Sequence, residues 1–195
     1  MLLWTKKSNH KQEGSGWNRE HIVPQSWFSE AKPLKNDAHH VWPTDSKINS
    51  LHAAYPFGEV KQIFRQSKNG TKIGVGLDNE RVMEVINEFK GDVARAILYF
   101  WITYKNYPKK QITKTKDSRR VWTNKSINPN YLKQYLEWSD SDPITQFDLD
   151  QNNGIYKHQH NRNPFIDYPK LIDVVFKNDT KFVFKNLGFA KKLVF

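Results

Sequence analysis

A change of pattern at Asn79 constrains this fold most. Before it, Gly, Pro and polar turns cut the chain into short segments; after it, apolar residues recur at spacings of three and four. Residues 19–23 read as a short strand stopped by Pro24, and 38–42 as a second. Thr44 or Asp45 caps a helix over about 45–54, which must stop at Tyr55-Pro56. Further extended structure follows over 57–73, with a turn at Lys68-Asn69-Gly70. Val82, Val85, Ile86 and Phe89 then predict a helix. Val93, Ala96, Ile97, Phe100 and Trp101 predict a stronger one, from an Asp92 cap to Tyr104. Asn128-Pro129 opens a helix to Trp138, Asp142-Pro143 one to His158, and 169–176 holds a last short helix. Phe182-Val183-Phe184 suggests a strand, and 178–195 is otherwise unassigned. Strands first and helices after make an α+β chain, and 195 residues without a linker make one domain, 1–195.

Composition narrows the chemistry. The chain has no cysteine, which excludes a disulfide scaffold, a thiolate zinc site and a cysteine nucleophile. Hydrophobic residues at 37% and aromatics at 14% are enough for a real core. No apolar run approaches the length of a membrane span, and Leu2-Leu3-Trp4 is too short for a signal peptide. A net charge of +11 points to a polyanionic partner, nucleic acid before an acidic membrane.

Five segments carry candidate chemistry. Arg19-Glu20-His21 puts a guanidinium, a carboxylate and an imidazole together at a strand end before Pro24; this is either a charged strand end with a satisfied histidine, which the segment alone favours, or an irregular end that lets neighbours reach one site. His39-His40 lacks partners at zinc-finger spacing, so an orienting hydrogen bond suits it better than a structural zinc. Asn49 is a poor helix-interior residue and marks either an exposed face, the usual case, or an oxygen ligand; its amide oxygen with the Glu20 carboxylate would make a hard-ligand pair suited to Mg²⁺ or Ca²⁺. Arg162 is either a bidentate phosphate clamp or a buried tie between the last helices and the sheet. Over 105–125, Lys109, Lys110, Arg119 and Arg120 interleave with Tyr107 and Trp122, a mixture that contacts phosphates and stacks on bases, or else a solvated lysine loop.

Taken together, 17–28 (WNREHIVPQSWF), 37–60 (DAHHVWPTDSKINSLHAAYPFGEV) and 161–169 (NRNPFIDYP) resemble the bacterial endonuclease I family, within the ββα-metal or His-Me finger nucleases. The resemblance implies a ββα-metal finger and a largely sequence-nonspecific endonuclease. It would hydrolyse DNA, RNA or both to 5′-phosphate and 3′-hydroxyl ends. It makes His21 the general base and Glu20 and Asn49 ligands of Mg²⁺, with Mn²⁺ or Ca²⁺ as substitutes. Arg19, His39, His40, His52 and Arg162 become candidates for orienting these groups or the phosphate. Family members are mostly extracellular or periplasmic and often carry arginine and asparagine where this chain has His52 and Ala54. They usually carry a helical region and a secretion signal ahead of the point where this chain starts, which makes the chain a truncation, a domain or a mature form. A monomer is expected. Two rival readings stay open: a nucleic-acid-binding module without catalysis, and a zinc hydrolase built on His21, His39 and His40.

Overall fold

The computed structural model describes residues 12–107, 112–123 and 125–193. β1 (Trp17–His21) pairs antiparallel with β2 (Val41–Asp45), in register from Trp17↔Asp45 to His21↔Val41. α1 (Ser46–His52) follows directly, because the Asp45 carboxylate accepts from the N–H groups of Lys47 and Ile48 at 2.9 and 3.0 Å. The helix ends at Ala53, whose φ of 54° is one that L residues rarely adopt. The expected strand–strand–helix order is present, with both strands displaced. Residues 38–40 coil into a 3-10 turn capped by Asp37, so the second strand starts only at Val41.

β3 (Gln62–Gln66), β4 (Lys72–Val75) and β5 (Arg81–Glu84) form a second antiparallel sheet in that order. The turn at Lys68-Asn69-Gly70 falls where expected, with Gly70 at φ 100°. Gly74 is required here, since a side chain would collide with the Gln62 carbonyl across the β3–β4 pair. The helix expected over 82–89 is not formed. The Gly76 N–H bonds the Glu80 carbonyl and turns the chain back, so Val82 and Met83 pair with Gly74 and Ile73. A spacing of three and four was produced by a strand followed by a 3-10 turn at Asn87–Phe89, and ladder pairing prevailed over it.

α2 (Lys90–Tyr104) is buried around most of its circumference and is the centre of the core. Asp92 does not cap it; Phe89 precedes it, and Asp92 sits in the first turn and accepts from Arg95 Nη2 at 2.6 Å. α3 (Lys116–Val121), unread in the sequence, is held by a Thr115–Ser118 capping box. α4 (Pro129–Ser141) starts on its Asn128-Pro129 signal and runs along α2, so closely that any side chain at Gly91 would strike the Asp142 carbonyl. Asp142 closes α4 rather than opening the next helix; α5 (Gln146–Gln159) begins at the Thr145–Asp148 capping box. Two short helices follow, α6 (Pro164–Asp167), unexpected from sequence, and α7 (Leu171–Phe176), expected. Among the described residues, 178–193 form no strand, and no helix is long and apolar enough to cross a membrane.

One buried carboxylate joins the hairpin unit to the helices. Asp37 accepts from the His39 N–H at 3.0 Å, the Tyr99 and Tyr104 hydroxyls on α2 at 3.0 and 2.7 Å, and Gln159 Nε2 on α5 at 2.7 Å. Burial alone would raise its pKa; the bonds from Gln159, Tyr104 and the His39 N–H outweigh burial and hold it below the usual aspartate value. A depressed folded pKa means stabilisation present above the unfolded pKa and lost as pH falls through the folded one. Asp37→Asn is therefore expected to cost about 3 kcal/mol at neutral pH. The gap from wild type should close under acid; chemical denaturation at a series of pH values checks this, and a pH-independent gap would disprove it.

Candidate active site

α1 lies over β1 and touches alternate residues of the strand. Asn49 Nδ2 donates to Asn18 Oδ1 at 2.7 Å and to the Arg19 carbonyl at 2.9 Å. The backbone acceptor fixes the amide's orientation, so its nitrogen is spent on β1 and its oxygen remains as an acceptor or cation ligand. One turn further, His52 Nδ1 is 3.1 Å from Glu20 Oε1, and its Nε2 is 2.8 Å from the Tyr55 carbonyl. The ring is buried against Phe57. The ring is thus pinned between the Glu20 carboxylate and the Tyr55 carbonyl, and it occupies the position where the resembled family often has arginine. Glu20 Oε2 has no protein partner among the described residues.

His21 is the last residue of β1. Its Nε2 is 3.0 Å from the Lys35 carbonyl, which can only accept, so Nε2 carries the proton and Nδ1 the lone pair. Burial lowers its pKa, opposed by the bond to Lys35 and the Glu20 charge and assisted by the Arg19 charge. The ring is thus a neutral base at physiological pH. His40 packs edge-on against it at 5.7 Å, is itself fully buried, and donates from Nε2 to the Leu34 carbonyl at 2.7 Å. Burial pushes His40 down to about 4. Consecutive carbonyls of one turn, Leu34–Asn36, therefore hold both rings. His40 supports His21 by packing, not by a hydrogen bond.

Glu20, His21, Asn49, His40 and His52 are linked through these contacts, with Arg19 exposed beside them. Other candidates lie elsewhere. His39 packs on Tyr99 and reaches the Asn161 carbonyl at 3.3 Å. The Arg162 guanidinium is bound bidentately by Asp167 at 2.6 and 2.7 Å, donates to Asn153, and is covered by Tyr156 and Phe189, so it ties α5, α6 and the C-terminal segment together rather than clamping a phosphate. Arg120 is spent on Asp78, Asp117 and the Tyr131 hydroxyl. Trp122 is in the core with its N–H on the Ile112 carbonyl, and Tyr107 donates to the Lys32 carbonyl, so neither matches a base-stacking role. Arg119 is exposed; Lys109 and Lys110 lie outside the described residues. His21, His39 and His40 each spend Nε2 on a different carbonyl, and no group of three or more His, Cys, Asp or Glu side chains among the described residues could hold a metal, which removes the support for a three-histidine zinc site. Sequence reasoning missed Asn18, whose two-residue spacing from Glu20 on one strand face was the available signal. The carbonyls of Lys35 and Tyr55 left no signal at all.

The hairpin–helix unit thus carries an imidazole at a strand end, a carboxylate and an amide. Residues 3–170 match the family described as Endonuclease I, and the chain belongs to that family. It is 31% identical over 187 residues to a protein of Bacillus subtilis (strain 168) named extracellular ribonuclease, and 31% identical over 186 residues to one of the same name from Bacillus amyloliquefaciens. Each alignment covers 90% of this chain and 60% of the relative, so the chain spans well under two thirds of their length.

The core placement of Trp122 has a direct consequence. Trp122→Ala should lower unfolding free energy by about 3–5 kcal/mol, whereas Arg119→Ala, on the surface, should stay within about 0.5 kcal/mol. Urea denaturation of the two variants checks this; a small effect at Trp122 would contradict its burial.

Proposed function

We propose that this protein is a metal-dependent endonuclease that hydrolyses phosphodiester bonds in RNA and DNA with little sequence preference. The observation that carries the reading is His21: its proton is held on Nε2 by the Lys35 carbonyl, which leaves Nδ1 as a neutral base within the field of the Glu20 carboxylate. Such a base takes a proton from water as water attacks phosphorus, typically a ~10²–10⁴-fold contribution. Because water is the nucleophile, no 2′-hydroxyl is required, and the products are 5′-phosphate and 3′-hydroxyl ends.

The residues fit a hard divalent cation. Glu20 keeps one carboxylate oxygen without a partner among the described residues, and the Asn49 nitrogen is bound on β1, which leaves its amide oxygen for another contact. These oxygens suit Mg²⁺, with Mn²⁺ or Ca²⁺ as substitutes. A bound cation of this type supplies charge neutralisation at the phosphate and at the departing oxygen. His52 restrains Glu20, and Asn18 restrains Asn49. Family membership and relatives named extracellular ribonucleases support nucleic acid as substrate, RNA included, and a site of action outside the cell. The charge of +11 supports the same polyanion.

Two experiments test the proposal. Plasmid, single-stranded DNA and RNA should all be cut with Mg²⁺ and spared with EDTA; binding without cutting would leave a nucleic-acid-binding module instead. His21→Ala should lose about 10²–10⁴-fold in rate with an unchanged metal requirement. Glu20→Ala and Asn49→Ala should raise the metal concentration for half activity and recover partly in excess Mg²⁺ or Mn²⁺. A shift in metal requirement confined to His21→Ala would reverse the assignment.

A further inference from the structure

β3 is exposed along its whole length, and its apolar residues face solvent: Ile63 is 50% and Phe64 55% exposed. Phe64 falls where the β3–β4 register shifts between Ile63 and Arg65, an irregularity of the kind that re-aims a side chain out of a sheet. Arg81, on the far strand of the same sheet, reaches across to it. The guanidinium carbon lies 5.9 Å from the centre of the Phe64 ring and 5.8 Å from that of Tyr55, and Nη1 donates to the Tyr55 hydroxyl at 3.0 Å. Two rings and a cation thus form one surface cluster.

The charges around it are unevenly used. Lys72, Lys116 and Arg120 are held by Glu84, Glu80 and Asp78. Arg65 and Arg81, flanking the exposed ring, form no ion pair among the described residues. Unpaired arginines beside an exposed aromatic match a polyanion that also offers flat apolar faces. The cluster is joined to the candidate active site through Tyr55, whose carbonyl accepts from His52, the residue bonded to Glu20.

We propose that Phe64 and Arg81 hold an unpaired nucleotide of the substrate strand beside the cleavage site, the base on the Phe64 ring and the backbone phosphate on Arg81 and Arg65. The inference rests on the nuclease reading and adds a substrate class to it: single-stranded nucleic acid. In a duplex the faces of the bases are covered by their neighbours and are out of reach of the ring.

Fluorescence anisotropy in EDTA, where the metal-dependent reaction is silent, tests this with a labelled oligothymidylate and a labelled duplex of the same length. Phe64→Ala should weaken single-strand binding by roughly 5- to 150-fold and leave duplex binding within about twofold. Phe64→Trp should keep or tighten single-strand binding. Phe64 is exposed, so the folded core does not depend on it, and a matching thermal melt checks that. Unchanged oligothymidylate binding by Phe64→Ala, with wild type binding normally, overturns the stacking site and leaves the nuclease reading intact. Equal losses on both probes also overturn it. Failure of wild type to bind either probe would remove the nuclease reading itself. Loss of self-association in Phe64→Ala with unchanged oligonucleotide affinity would assign β3 to contact between chains instead.

Discussion

The Asp37 carboxylate is the interaction on which the rest of the arrangement depends. It is a charge without water, and such a group is tolerated only when hydrogen bonds replace its hydration. Its four donors come from the turn ahead of β2, from two tyrosines a little over one turn apart on α2, and from the end of α5. The hairpin that carries Glu20 and His21 is small, and a two-stranded hairpin has little stability alone. Its rigidity is borrowed from α2, and Asp37 is the polar part of that loan.

The site repeats one device. Each of its imidazoles, and His39 outside it, is oriented by a backbone carbonyl: His21 by Lys35, His40 by Leu34, His52 by Tyr55, His39 by Asn161. A carbonyl only accepts, so each contact fixes a proton on a named nitrogen as well as a ring direction. For His21 that choice decides which nitrogen acts as the base. A side-chain acceptor such as a carboxylate would do the same and also stabilise the charged ring, raising its pKa; a neutral carbonyl orients with a weaker pull.

Much of this was legible in the sequence, unevenly. The order strand, strand, capped helix over the first third followed from Pro24, Asp45 and the turn residues, because those signals act locally. β5 was misread because Val82, Val85, Ile86 and Phe89 satisfy a helical spacing, and only pairing with β4 decides otherwise. Glu20, His21 and Asn49 were legible as a candidate cluster, and the hairpin and α1 hold Glu20 and Asn49 through contacts on β1 and α1. Arg120, Arg162 and Trp122 were not legible, since a basic or aromatic residue looks the same in a sequence whether it meets solvent or is enclosed by Asp78, Asp167 or Phe100. The orienting carbonyls were invisible because every residue has one.

The turn Leu34–Asn36 has a consequence for how this chain can vary. Surface connections commonly gain and lose residues at little cost. Here two successive carbonyls of a connection hold His21 and His40, while Asp37, directly after them, is fixed on α2 and α5. Inserting or deleting one residue between Ala31 and Asp37 would rotate the carbonyls away from both rings without altering any residue that reacts. The length of this connection thus matters to the site as much as the identity of His21 does, because it sets where two orienting carbonyls fall.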